Sequence, residues 1–284
     1  MKKEIITSKQ LKELIQQPEY TYREAPRHHI REFETFNKWA PQEVYNLFDI
    51  LTNQAGGTPP TLNHYLTTGV QMTKEHWFKE SEEGRLAKWK MTNGNWEVTY
   101  LTWSEDIEKA VRWRLSRMYQ SMMSEFSALT MIHEILPDAF LFTSKDIDLV
   151  LGVDIVIALK TTNTILYAHV VKESSWADHN LKEKAKKSVP VFSKHNTKHI
   201  WKRRWTDSHL ALRYDLHESE RSTIINGHSL YKEEYIREIL TKKFQEGNLD
   251  TVTGVSEFSE FHNFLKNFKI QEDGISGMVT HKGK

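Results

Sequence analysis

The chain contains no cysteine in 284 residues. That absence excludes disulfides, thiolate nucleophiles and Cys-ligated zinc, so any bound metal must be held by oxygen or imidazole. It is compatible with a reducing compartment. No apolar run approaches the roughly 18 residues of a membrane span, and the opening Met1-Lys-Lys-Glu-Ile-Ile-Thr-Ser8 lacks the apolar stretch of a secretion signal. The expectation is a cytoplasmic protein that makes no membrane contact. Also missing are a P-loop, a Gly-x-Gly-x-x-Gly turn and a Gly-x-Ser-x-Gly nucleophile motif, which removes support for nucleotide-fold enzymes and for serine hydrolases of that design. There is no internal repeat and no low-complexity domain.

What is present belongs to a globular protein: 38% hydrophobic and 27% charged residues, long enough for one large domain or two modest ones. The net charge of +1 hides an uneven distribution. Between Lys172 and Trp205 ten Lys and Arg face three acids, Glu173, Asp178 and Glu183. The segment holds Lys182, Lys184, Lys186 and Lys187 on an expected helix, then Lys198-His-Ile-Trp-Lys-Arg-Arg-Trp205. Basic residues interleaved with aromatics neutralise phosphates and stack on bases, which makes Lys186, Lys187, Lys198, Lys202, Arg203 and Arg204 candidate DNA contacts. A solvated helix face followed by a loop anchored by its tryptophans accounts for the same residues without a nucleic acid.

Three regions are expected. Residues 1–103 read as an α+β region. Ser8 caps a short helix through Gln16, and Pro41 opens another with Val44, Leu47, Phe48 and Leu51 at helical spacing. Ala55-Gly-Gly-Thr-Pro-Pro60 breaks the chain, and Lys88–Trp103 reads as a hairpin around Asn93-Gly94, with Trp89, Met91, Trp96, Val98 and Tyr100 on one face. Residues 104–220 form the expected core, opened by a long helix from Ser104 to Leu136 with apolar residues three and four apart, stopped by Pro137. Glu125 falls on that apolar stripe between Met122 and Leu129. A pairing with Arg117 or a reach to solvent would explain it structurally. Residues 221–284 read as a helical extension, amphipathic over Tyr231–Phe244 and Ser256–Phe268.

Within the core, Gly152–Lys172 reads as two apolar strands joined by a polar turn. Folded about Asn163, it sets Asp154 opposite Lys172. Alternation then puts Asp154, Val156, Ala158, Ala168, Val170 and Lys172 on one face and His169 on the other. An acid and an amine on an apolar sheet form either an ion pair or a site for metal or phosphate. His195 and His199 are spaced for two ligands on one helix, but a surface or phosphate contact is the favoured reading, and His28, His29, His133 and His209 have no chemical context.

The succession of a helix with an inward glutamate, a hairpin carrying Asp154 then Lys172, and a basic helix resembles the restriction-endonuclease-like PD-(D/E)XK nuclease superfamily. The resemblance spans about Ser104 to Tyr214. It implies an α/β fold, a mixed sheet with flanking helices. It implies Asp154 as a metal ligand, Lys172 as the group that orients water and stabilises the phosphate, and Glu125 as an additional helical acid. Magnesium, with manganese as its substitute, is the cofactor implied, and DNA the substrate. One departure stands out: the superfamily carries an acid or Gln two residues before its lysine, and this chain has Val170. Glu125 or Asp148, in the loop Lys145-Asp-Ile-Asp148, could replace it. The expected function is metal-dependent DNA cleavage. The alternative is a nuclease-fold protein that no longer cleaves and serves as an accessory subunit or inhibitor in phage or mobile-element defence. A protein partner or a second copy stays open.

Overall fold

The computed structural model describes residues 5–16, 42–79, 85–143, 153–159, 161–162, 164–186, 189–191, 201–203, 207–246 and 249–251. The chain divides into two compact units, one of Met1–Ile6 with Lys12–Met123, the other of Thr7–Leu11 with Ser124–Lys284. The boundary falls inside a long helix, not before it.

The short helix α1 (Ser8–Leu14) straddles the two units; in the first, helix α2 (Gln42–Gln54) has Val44, Leu47, Phe48 and Leu51 buried as their spacing required. After the break at Ala55–Pro60 comes helix α3 (Leu62–Lys79), with Leu62, Tyr65, Leu66, Val70 and Thr73 buried. Thr61 caps it, accepting from the His64 amide. A Cβ on Gly69 would stand 2.8 Å from Leu115, so the missing side chain lets α3 approach the long helix α4 (Glu105–Ile135) closely. Tyr119 of α4 donates to the Pro60 carbonyl at 2.7 Å and lies 5.4 Å from Tyr65, ring to ring. The hairpin of β1 (Arg85–Thr92) and β2 (Asn95–Thr102) pairs Trp89 with Val98 and Met91 with Trp96, with Asn93 and Gly94 both at positive φ.

In the second unit Thr7, not Ser8, caps α1: Thr7 Oγ1 accepts from the Gln10 amide while Gln10 Oε1 accepts from the Thr7 amide, a reciprocal capping box. Ser8 instead donates through its amide and its hydroxyl to Glu134. The sheet holds β3 (Ala139–Phe142), β4 (Ile155–Leu159) and β5 (Thr164–Lys172), each antiparallel to the next. On the far side of β5, β8 (His209–Tyr214) pairs in parallel and the short β11 (Asp250–Thr251) antiparallel. A parallel partner needs a crossover. Helix α5 (Ser175–Lys186) supplies it, capped by Ser174, with the small hairpin of β6 (Val189–Val191) and β7 (Trp201–Arg203) between it and β8. Ile155 to Ala158 and Thr164 to His169 are buried, the near-continuous burial of a strand in the middle of a sheet.

Residues 222–231, expected within a helical extension, form instead a hairpin of β9 (Ser222–Ile225) and β10 (His228–Tyr231), followed by helix α6 (Glu233–Glu246) with Ile236 and Leu240 buried. The hairpin is tied to α4: the Tyr231 amide donates to Ser127 Oγ at 3.0 Å, and Ser124 Oγ donates to the Ser229 carbonyl at 3.3 Å. Its turn, Asn226-Gly227, has φ of 50° and 81°, the two positive angles of a type I′ turn. Nothing lies within 4 Å of a Cβ built on Gly227, so Gly227→Ala should lose about 1 kcal/mol to backbone strain alone. Urea unfolding of that variant tests this, and an unchanged midpoint would show that the turn relaxes without cost.

Candidate functional site

The hairpin register differs from the one expected. Leu159 pairs with Thr164, with Thr161 and Thr162 in the turn between them, and Ile155 pairs with Ala168. Asp154 is therefore level with His169, not with Lys172. The slip is an odd number of residues, so it exchanges faces. Ala168, Val170 and Lys172 lie on the face of Ile155 and Ile157, and Tyr167 and His169 on that of Val156 and Ala158. The pairing of Asp154 with Lys172 across one face is thus corrected. The physical reason is where the turn falls: the pairing of Leu159 with Thr164 centres the fold between Thr161 and Thr162, not on Asn163.

Asp154 precedes β4 in a bend. Its amide donates to the Ala168 carbonyl at 3.1 Å, and its carboxylate Oδ2 accepts from the Val170 amide at 2.7 Å. The acid is therefore tied by a backbone hydrogen bond to the residue two positions before Lys172. Lys172 ends β5 exposed to solvent.

Glu125, half-buried on α4, accepts at Oε1 from the Thr143 hydroxyl at 3.0 Å. Thr143 directly follows β3, whose last residue Phe142 pairs with Val156. The end of β3, the start of β4 and the end of β5 coincide because these strands are antiparallel. Glu125, Asp154 and Lys172 are accordingly all brought to one end of the sheet. Arg117, the expected partner of Glu125, stacks its guanidinium over Trp113, 4.9 Å from the ring centroid.

An ion network fastens the chain just beyond Lys172. The Glu173 amide donates to the Tyr214 carbonyl at 2.8 Å. Glu173 Oε2 receives Arg213 at 3.3 Å and Arg221 at 2.8 Å, and Arg213 also donates to Asp178 in the first turn of α5. Burial opposes the Arg213 charge, but the hydrogen bond to Asp178 and the charge of Glu173 outweigh it and raise the guanidinium above its ordinary pKa. Asp215, buried after β8, accepts from the Ser219 hydroxyl at 2.6 Å. Tyr231 is held protonated by burial, reinforced by Tyr235, Tyr214 and the charges of Asp154 and Asp215. Its hydroxyl donates to the Leu212 carbonyl at 2.7 Å. None of this network was legible in the sequence. Glu173, Arg213 and Arg221 are far apart along the chain, and only the parallel pairing of β5 with β8 brings them together.

His209, which had no chemical context in the sequence, and His169, expected on the face away from Lys172, are buried and share a hydrogen bond, Nε2 to Nδ1 at 3.0 Å. Tyr167 stacks on His209 at 4.8 Å. Lys202 and Arg203 lie on β7, opposite Pro190 and Val189, and Lys186 ends α5. Asp148, Lys187, His195, Lys198, His199 and Arg204 lie outside the described residues, as do His28 and His29.

Magnesium binds through one or two carboxylates and completes its octahedron with waters and substrate phosphate oxygens. Glu125 and Asp154 fit that demand in number and donor type. Among the described residues no group of three or more His, Asp or Glu is gathered that could hold a metal by itself. The residues present therefore suit a weakly held, substrate-completed cation and not a closed structural site. Among the described residues, too, no helix is long and apolar enough to cross a membrane. Compared with known proteins, the chain matches no family model, no curated protein and no solved structure.

Proposed function

We propose that this protein binds DNA and hydrolyses its phosphodiester bonds with a divalent cation, and that the sheet end carrying Asp154, Glu125 and Lys172 is the site. The observation that carries the reading is that these three residues stand at the same end of the sheet, with Asp154 Oδ2 accepting from the amide of Val170, two residues before Lys172. The mixed sheet of antiparallel β3, β4 and β5 with parallel β8, flanked by α4 and α5, supports it as well, since the resemblance implies a mixed sheet with flanking helices.

Asp154 and Glu125 would hold the cation, magnesium or manganese. When bound, such an ion lowers the pKa of a coordinated water and clamps phosphate oxygens. Lys172, projecting from the strand end into solvent, supplies positive charge to the phosphate as negative charge builds on its oxygens. The Glu173–Arg213–Asp178 network keeps that strand end in place against α5. Lys198, Lys202, Arg203 and Arg204, with Lys186 and Lys187, supply phosphate affinity.

The test is nicking of supercoiled DNA with magnesium or manganese, with and without chelator, by the native chain and by folded Asp154→Ala and Lys172→Ala variants. Chelator-sensitive nicking is expected, and each variant should lose about 100-fold or more. Nicking that survives in both variants, or that ignores chelator, would refute the assignment. A second reading has one observation in its favour. Residue 170 is a valine, and its amide already occupies Asp154 Oδ2, as a purely structural aspartate would have it. DNA or protein binding without any cleavage would select that noncatalytic module.

A further inference from the structure

We propose that Thr143 is a positioning residue: its hydroxyl orients the Glu125 carboxylate for the divalent cation, an inference that rests on the site proposed above. Glu125 belongs to a helix, and its side chain has three rotatable bonds. A hydrogen bond from a fixed donor narrows the rotamers its carboxylate samples, which lowers the ordering cost of each cation-binding event. Thr143 belongs to the chain leaving β3, whose backbone is fixed by pairing with β4. Its hydroxyl can donate one hydrogen bond, and it donates that bond to Glu125 Oε1 at 3.0 Å. The carboxylate is thereby referred to the same sheet end that carries Asp154.

The two acids are oriented in a matching way. Asp154 is held through Oδ2 by the Val170 amide from β5, and Glu125 through Oε1 by the Thr143 hydroxyl from the end of β3. In each case one oxygen of the carboxylate takes a donor from a strand end, which fixes the plane of the group. Partners of this kind around metal ligands typically change metal affinity by 10- to 100-fold when removed. Thr143 is exposed, so water competes for the same oxygen, and the effect belongs at the lower end of that range.

The experiment is the manganese(II) affinity of the full-length chain, read from the electron paramagnetic resonance signal of free ion, for the native protein, Thr143→Val, Thr143→Ser, Glu125→Gln and Asp154→Asn, with thermal unfolding of each in parallel. Valine keeps the shape of threonine and removes the donor; serine keeps the donor. Thr143→Val should bind about 10-fold more weakly, and Thr143→Ser should match the native protein, with unfolding midpoints unchanged in both. Native affinity in Thr143→Val alongside weakened binding in Glu125→Gln would overturn the positioning role and leave the site standing. Equal weakening in the valine and serine variants would also overturn it, because the hydroxyl would not be the operative group. Native affinity in both Glu125→Gln and Asp154→Asn, or no manganese bound by the native chain, would remove the site itself.

Discussion

Replacing Tyr231 by alanine should lower the unfolding free energy by about 4 kcal/mol, whereas phenylalanine should lower it by about 1.5 kcal/mol. Tyr231 is among the largest fully buried side chains, 1% exposed, and its ring stacks on Tyr235 with centroids 6.0 Å apart. Alanine removes that packing and leaves a cavity where α4, β8 and α6 meet the hairpin. Phenylalanine keeps the ring and removes only the bond to the Leu212 carbonyl, an acceptor that also takes part in the sheet. Hydrogen bonding of that hydroxyl does not depend on pH near neutrality, because burial holds the phenol protonated.

The same variants bear on the site. Leu212 pairs with Val170 across β5 and β8, and the Val170 amide holds Asp154. A strand loosened at Leu212 therefore loosens the anchor of the proposed ligand, so Tyr231→Ala should reduce metal affinity as well as stability. Urea unfolding of both variants decides the first point. Equal losses for alanine and phenylalanine would show that the hydroxyl, not the packing, dominates, and a loss below about 1 kcal/mol for alanine would mean that the cavity collapses.

DNA affinity should fall about 150-fold as salt rises from about 50 to about 200 mM, if Lys198, Lys202, Arg203 and Arg204 each neutralise one phosphate. Each such contact contributes about 0.9 to the slope of log affinity against log salt on duplex DNA, so these residues together give a slope of about −3.6. Replacing Lys202 and Arg203 by alanine should halve that slope, to about −1.8, and weaken binding to all sequences alike. Fluorescence anisotropy with duplexes of unrelated sequence measures both quantities. A flat dependence on salt would sink the basic segment as a DNA contact and return it to the solvated surface that its charge also explains. The effect is large because counterion release adds over contacts, whereas the surface pairs elsewhere in this chain, such as Arg237 with Glu233, act singly and in high dielectric.

Elements whose cause is local were legible before any coordinates. The α4 stripe, with Ile107, Val111, Leu115, Met122, Leu129 and Ile132 all buried, follows from a 3.6-residue period. Its start at Ser104, whose hydroxyl accepts from the Ile107 amide, follows from capping chemistry. Asn93-Gly94 specified one hairpin for the same kind of reason. Asn226-Gly227 carries the same turn signal, flanked by Ile224-Ile225 and Leu230-Tyr231, and could have revealed β9 and β10. Helix α3 was legible too, in the spacing of Leu62, Tyr65, Leu66 and Val70, but its tryptophan- and histidine-bearing composition masks that period.

The sequence by itself determined the long helix α4, the Asn93-Gly94 hairpin and the strands that carry Asp154 and Lys172, and where positive charge accumulates, because propensity, periodicity and capping act over a few residues. Tertiary structure alone decided that Asp154 is level with His169, that its carboxylate is taken by the Val170 amide, and that Thr143 meets Glu125. Strands β4 and β5 are buried on both faces, so their apolar pattern does not tell registers of opposite parity apart, and the choice passes to the turn and to burial against other elements. The Glu173–Arg213–Arg221 network was out of reach for the same reason: ion pairing among residues so far apart in sequence exists only once β5 and β8 lie side by side.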